Sequence, residues 1–305
     1  MYIADVESMV RQYGLFYHAY ADDQQTYGSC KPSHEAIQSL RCRMTDCISD
    51  VSHWMKSNRL QLNVTKTEFI WLASKRRVHQ LDNTDFLIDG DLVPPSGCVR
   101  NLGVYLNNDL SMLQHVTKVA STCFGIMRQL NSIRRYVPSQ IFTSLTIQLV
   151  VSRIDYCNIV LVGLPKSTLN NLQMVINAAA RLVFNVPKYD HITPHLVNLH
   201  WLRVPERIDY KLCLFVYKCL HGLSPPYLSD HIKPVASVLS RQRLRSSTSS
   251  DVLVPSSKSK LGARSFKIAG PAAWNRLPAE VKSAASLDAF KKKLKTYLFA
   301  QSYSI

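Results

Sequence analysis

The stretch Leu15–Gly28, LFYHAYADDQQTYG, sets two adjacent aspartates between runs of aromatic and apolar residues. The pattern predicts strand, two-residue turn, strand, with Asp22 and Asp23 at the tip, because Asp is a favoured turn residue. Side-by-side carboxylates repel each other, so the doublet needs water or a cation to screen it. Two readings stand: plain turn chemistry, or a metal ligand pair.

Charge sharpens the question. The 305 residues carry 37 Lys+Arg against 21 Asp+Glu, a formal net charge of +16, which favours a polyanionic partner. At 46% hydrophobic and 19% charged, the chain has the composition of a globular protein with a core. No apolar run reaches the roughly 18 residues that span a bilayer, and the start lacks the basic flank of a secretion signal. Eight cysteines without a CxxC pair predict reduced thiols, mostly small core residues, in an intracellular protein. His191, His195 and His200 tempt a zinc reading, but Pro194 breaks the spacing and no cysteine lies nearby.

The first third predicts an α+β arrangement. Ser33 caps a helix whose apolar positions Ile37, Leu40, Met44, Ile48, Val51 and Met55 recur every three or four residues, ending near Ser57-Asn58. LQLNVTKTEFIWLA, Leu60–Ala73, alternates as a strand entered through a polar loop at Thr65-Lys66-Thr67. Short strands follow, with turns at Asp89-Gly90 and from Pro94 to Gly97. After Asp109 helices dominate. One carries Val116, Val119, Ala120, Cys123, Met127 and Leu130, with Lys118, Arg128, Arg134 and Arg135 supplying charge. Others start at Pro138-Ser139 (Ile141, Leu145, Leu149), run from Leu169 to Leu182, and open at Pro205 to close at Gly222. Ser237 to Ser265 reads as a basic, serine-rich linker or hairpin. Ser286 caps a final helix with Phe290, Leu294, Tyr297 and Leu298 on one face and lysines elsewhere. The four tryptophans read as core anchors.

YADD, Tyr20–Asp23, on its hairpin resembles the catalytic hairpin of reverse transcriptases. WMKSNRLQLNVTKTEF, Trp54–Phe69, is similar to the next palm motif of non-LTR (LINE-type) retrotransposon polymerases, and VRNLGVYLNNDLSM, Val99–Met112, to their primer grip. SRIDYCNIVLVGLP, LQMVINAAARLVF, LHWLRVPERIDYKL and GARSFKIAGPAAWNRLP resemble the thumb and carboxy-terminal region of the same element proteins. The ordered series covers nearly the whole chain. It implies residues 1–110 as the C-terminal part of a palm, 111–185 as a helical thumb, 186–235 as a helical C-terminal region, 236–265 as the basic linker and 266–305 as a basic segment with a helix.

The resemblance further implies RNA-directed DNA polymerisation on an RNA template and DNA primer from dNTPs, with Mg2+ (or Mn2+). Asp22 would be a metal ligand and Asp23 its neighbour. Tyr20 would flank the primer end, Lys66 would protonate or neutralise the leaving pyrophosphate, and Leu102-Gly103 would sit in the primer grip. Lys118, Arg128, Arg134 and Arg135 would track phosphates; as bare sequence they are also what a solvated helix face carries. Cytoplasm and nucleus are the compartments implied. The family draws a further metal ligand from a strand ahead of YADD, and this truncated pattern lacks it together with the fingers. The expectation is therefore a polymerase fragment inactive alone, or a non-catalytic module binding RNA or an RNA–DNA hybrid.

Overall fold

A computed structural model describes residues 4–237 and 250–304. The chain divides into two compact units, Met1–Gln114 and His115–Ile305.

In the first unit, helix α1 (Ala4–Gln12) has Asp5 and Glu7 in its first turn and Arg11 in its last, each complementing the helix dipole. Its Val6 and Val10 are buried, four residues apart. Gly14, at φ 65°, turns the chain into β1 (Phe16–Tyr20), which pairs antiparallel with β2 (Asp23–Tyr27). Helix α2 (His34–Ser57) is capped as expected: the Ser33 hydroxyl accepts from the Ala36 amide at 3.4 Å. Its Ile37, Leu40, Met44, Cys47, Val51 and Met55 are buried, following the three-and-four spacing, with Ile48 partly buried beside them. All of these except Ile37 share one core with α1, Leu15 and Phe69.

Two further hairpins belong to this unit. β3 (Phe86–Ile88) and β4 (Asp91–Val93) join through Asp89 and Gly90, both at positive φ (53° and 94°), the two-residue turn that Asp-Gly favours. Phe86, Ile88 and Val93 enter the common core. Arg41 of α2 holds the approach to β3, pairing with Asp82 at 2.9 Å, donating to the Thr84 carbonyl and lying 4.6 Å over the Phe86 ring. Lys56 pairs with Asp89, and that contact, its largest cause, holds the Asp89 carboxyl below the usual range. β5 (Cys98–Asn101) pairs with β6 (Val104–Asn107).

The strand expected over Leu60–Ala73 does not form. Val64–Lys66 is a 3-10 turn, and the one ladder contact beyond it is a parallel bridge of Phe69 to Pro95, with Ser96 donating to the Phe69 carbonyl at 2.7 Å. Proline carries no amide hydrogen, so Pro94-Pro95 cannot continue the pairing that the alternation invites.

The second unit is helical. α3 (Leu113–Ile133) begins at the junction and buries Val116, Cys123, Met127 and Leu130. α4 (Ser139–Thr146) runs through a π-turn at Ile147–Val151 into α5 (Ser152–Asp155). Its buried stripe is Phe142, Thr146 and Val150; Ile141 and Leu149, expected inside, are exposed. The Phe142 ring takes the core position and carries the Arg134 guanidinium 4.9 Å above it, rotating the helix by one residue from the aliphatic count. α6 (Lys166–Phe184), α7 (Ile192–Asn198) and α8 (Val204–Leu220, Pro205 in its first turn) follow. After α9 (Pro226–Ser229) come α10 (Phe266–Asn275), α11 (Ala279–Lys282) and α12 (Leu287–Tyr303). The Ser286 hydroxyl caps α12 by accepting from Ala289 at 3.2 Å. Trp274, Tyr217 and Phe290 form the aromatic centre between α8, α10 and α12.

Part of the predicted linker is packed. Val252 is buried, bridges Pro234, and exchanges two hydrogen bonds with the Asn275 side chain (3.0 and 2.9 Å). Lys282 pairs with Asp251 at 2.6 Å, and Arg264 lies across Gly163 while donating to the Val162 carbonyl at 3.0 Å. These partners are tens of residues distant, which is why a Ser-rich composition concealed them. Bases Arg241, Arg243 and Arg245 of that linker lie outside the described residues.

Two carboxyls of α8 give this unit a pH dependence. Burial raises the pKa of Glu206 against the opposing pull of Arg203, and burial likewise raises Asp209 against Arg276. The folded state thus holds these protons more tightly than the unfolded one. The stability they contribute is complete below the ordinary carboxylate range and is lost as pH rises through the raised values. Glu206 Oε2 also has no hydrogen-bond partner. Glu206→Gln is therefore expected to raise stability at pH 7 by roughly 1 kcal/mol and to change it little at pH 4. Urea midpoints at the two pH values test this, and an equal shift at both would exclude the charge as its cause.

Candidate functional site

The β1–β2 register is Phe16↔Tyr27, Tyr17↔Thr26, His18↔Gln25, Ala19↔Gln24 and Tyr20↔Asp23. The tip is therefore Ala21-Asp22, and Asp23 is the first residue of β2; the aspartates do not share the tip. The base of the hairpin fixes this count. Leu15 is buried, Gly28 lies so close to Leu15 and Leu40 that a Cβ there would meet their methyl groups at 2.8 and 2.7 Å, and Phe16 stacks on Tyr27 at 5.3 Å. Ala21 takes φ 55°, a left-handed conformation that costs a non-glycine residue about 1 kcal/mol.

Directly paired residues of a sheet share a face. One face of this hairpin therefore carries Phe16, His18 and Tyr20 opposite Tyr27, Gln25 and Asp23. It is unusually open for aromatic residues: Phe16 is 56% exposed, Tyr20 68% and Tyr27 44%. The other face carries Tyr17, which packs against the core and whose phenol pKa is raised by burial.

The β5–β6 turn is built in a parallel way. Leu102 and Gly103 connect Asn101 to Val104 at φ 43° and 83°, so this tip too holds a non-glycine residue in the left-handed region. Gln25 Nε2 donates to Asn101 Oδ1 at 2.6 Å. That bond ties Asn101, the residue before the Leu102-Gly103 turn, to the strand that begins at Asp23. Each of the two tips thus holds a non-glycine residue at positive φ, Ala21 beside the exposed Tyr20.

Lys66 sits apart in its 3-10 turn. Asn63 Oδ1 accepts from the Lys66 amide at 3.2 Å and from the Thr65 hydroxyl at 2.7 Å, and the ammonium is exposed with no ion-pair partner among the described residues. No contact joins it to Asp22 or Asp23. In the second unit Lys118 and Arg128 are exposed on α3. Arg134 donates to the Leu182 carbonyl at 2.7 Å and stacks over Phe142, tying the end of α3 to α6 and α4. Arg135 stays exposed, 4.7 Å from the Tyr136 ring.

Magnesium suits the aspartates as donors, since it takes one or two carboxylates and completes its shell from phosphates and water. Asp22 would hold it, with Asp23 beside it. Among the described residues no group of three Asp, Glu, His or Cys side chains forms a fuller cage. The three histidines considered for zinc form no such group either: His195 lies against Phe184 and His200 against Phe299.

Sequence reasoning missed Gln25, Asn101 and the aromatic face itself. The alternation Phe16-x-His18-x-Tyr20 signalled the shared face; the Gln25–Asn101 bond, spanning 76 residues, left no local trace. Among the described residues no helix is long and apolar enough to cross a membrane. Comparison with protein-family models, curated proteins and solved structures finds no match to the chain.

Proposed function

We propose that this chain is the C-terminal part of a retrotransposon-type RNA-directed DNA polymerase, and that alone it holds template and primer without extending the primer. The observation that carries the reading is the Gln25–Asn101 bond, which joins the YADD hairpin to the Leu102-Gly103 turn. A primer terminus laid along the Phe16, His18 and Tyr20 face would meet Tyr20 near the carboxylates, with the Leu102-Gly103 turn tethered to the same hairpin through Asn101. Aromatic and aliphatic groups there would exclude water and orient the terminal base and sugar. A bound divalent ion supplies charge neutralisation on the phosphates and lowers the pKa of an attacking hydroxyl. Lys66, exposed and unpaired among the described residues, would neutralise the leaving pyrophosphate.

A single carboxylate pair is a thin basis for two-ion catalysis. Preorganised charge works as a set, and losing one member typically costs factors of hundreds or more. The chain is therefore expected to show no dNTP incorporation on a primed RNA template with magnesium or manganese. Incorporation that vanishes in Asp22→Ala would overturn the inactive reading and establish the chain as a polymerase.

The second reading, a module that binds RNA or an RNA–DNA hybrid with no chemistry, is favoured by the cationic surplus. It shares the binding expectation and differs in one respect: Asp22→Ala would leave every effect of magnesium on binding unchanged.

A further inference from the structure

The junction of α3 and α4 encloses an open cleft of about 530 Å³, lined by Asn131, Ser132, Arg134, Arg135, Ser139 and Asn185. Two arginines, four residues with neutral hydrogen-bonding side chains and Val137 line this space, and no Asp or Glu is among them. The Arg134 fork is fixed by the Leu182 carbonyl and the Phe142 ring, so it needs no ordering when a ligand arrives. Arg135 has no ion-pair partner among the described residues, in a chain where seven other bases do. Tyr136, next in sequence, is 71% exposed, and its ring lies 4.7 Å from the Arg135 guanidinium. A large, open aromatic ring beside a cationic hollow is the pairing that single-stranded nucleic acids use, the base stacking on the ring and the phosphate entering the hollow.

We infer that this cleft binds one nucleotide of an unpaired RNA or DNA strand, its phosphate held by Arg134 and Arg135 and its base stacked on Tyr136. The inference rests on the nucleic-acid reading above and adds to it a strand preference and an address. A duplex keeps its bases stacked inside and can offer only phosphates here, so the ring discriminates in favour of single strands.

The test uses the full chain and a labelled 12-nucleotide single strand, with a duplex of the same length as comparison, followed by fluorescence anisotropy. Tyr136→Ala is expected to weaken single-strand binding roughly tenfold and duplex binding hardly at all, with Tyr136→Phe retaining the wild-type affinity. Arg135→Ala should weaken both and lower the salt slope by about one. Because Tyr136 and Arg135 are exposed, both variants should fold, which circular dichroism checks. If the wild type binds while Tyr136→Ala and Arg135→Ala bind equally well, the cleft assignment falls and the nucleic-acid reading stands. If the wild type binds neither probe at low salt, both fall.

Discussion

Trp274→Ala is expected to destabilise the helical unit by roughly 3–5 kcal/mol, the range for removing a large aromatic side chain from a packed interior. Trp274 is fully buried on α10, with Phe290 of α12 at 5.7 Å and Tyr217 of α8 at 6.5 Å between ring centres. Tyr217 in turn stacks on Phe290 at 4.3 Å and on His221 at 3.8 Å. Three helices therefore lose their common contact at once. The indole also donates to the Ser250 carbonyl at 2.8 Å, so truncation orphans that acceptor. Since domains of this kind hold about 5–15 kcal/mol in all, the variant should unfold at markedly lower urea. Trp274→Phe, keeping most of the ring volume, should lose clearly less. A midpoint for Trp274→Ala within error of wild type would show that the aromatic centre does not hold these helices together.

Binding to nucleic acid is expected to fall by roughly a thousandfold between 50 and 200 mM salt, as happens when about six phosphates are neutralised and their counterions released. The charge supports a number of that order. The chain carries a formal +16, and among the described residues seven ion pairs engage only a minority of its 37 Lys and Arg. Some bases are committed internally: Arg264 to the Val162 carbonyl and Lys282 to Asp251. Lys118, Arg128 and Arg135 are among those left exposed for phosphates. Affinity measured across a salt series gives the slope directly. A flat series would mean that the surplus charge serves solubility, and the polyanionic partner would have to be abandoned.

Much of the secondary structure was legible because its causes are local. The α2 stripe, the Ser33 and Ser286 caps and the Asp89-Gly90 turn each depend on residues within one or two turns of backbone. Where the outcome depended on a distant partner, local pattern misled. Leu60–Ala73 alternates like a strand but meets Pro95, which cannot donate. Ile141 looks like core, yet Phe142 takes the buried position, with Thr146 and Val150 following it on the same helical stripe. Residues 250–265 look like a linker, yet Asn275, Lys282 and Gly163 receive them.

The candidate site divides along the same line. An acidic doublet on a hairpin, a cationic surplus and a helical second half follow from composition and spacing, since turn preference, net charge and helical period are properties of short stretches. That Ala21 takes the strained tip, that Asp23 faces Tyr20, and that Asn101 closes on Gln25 were decided only when the chain folded. Each depends on packing at the hairpin base or on a bond across 76 residues, and side chains so far apart in the chain meet only in the folded state.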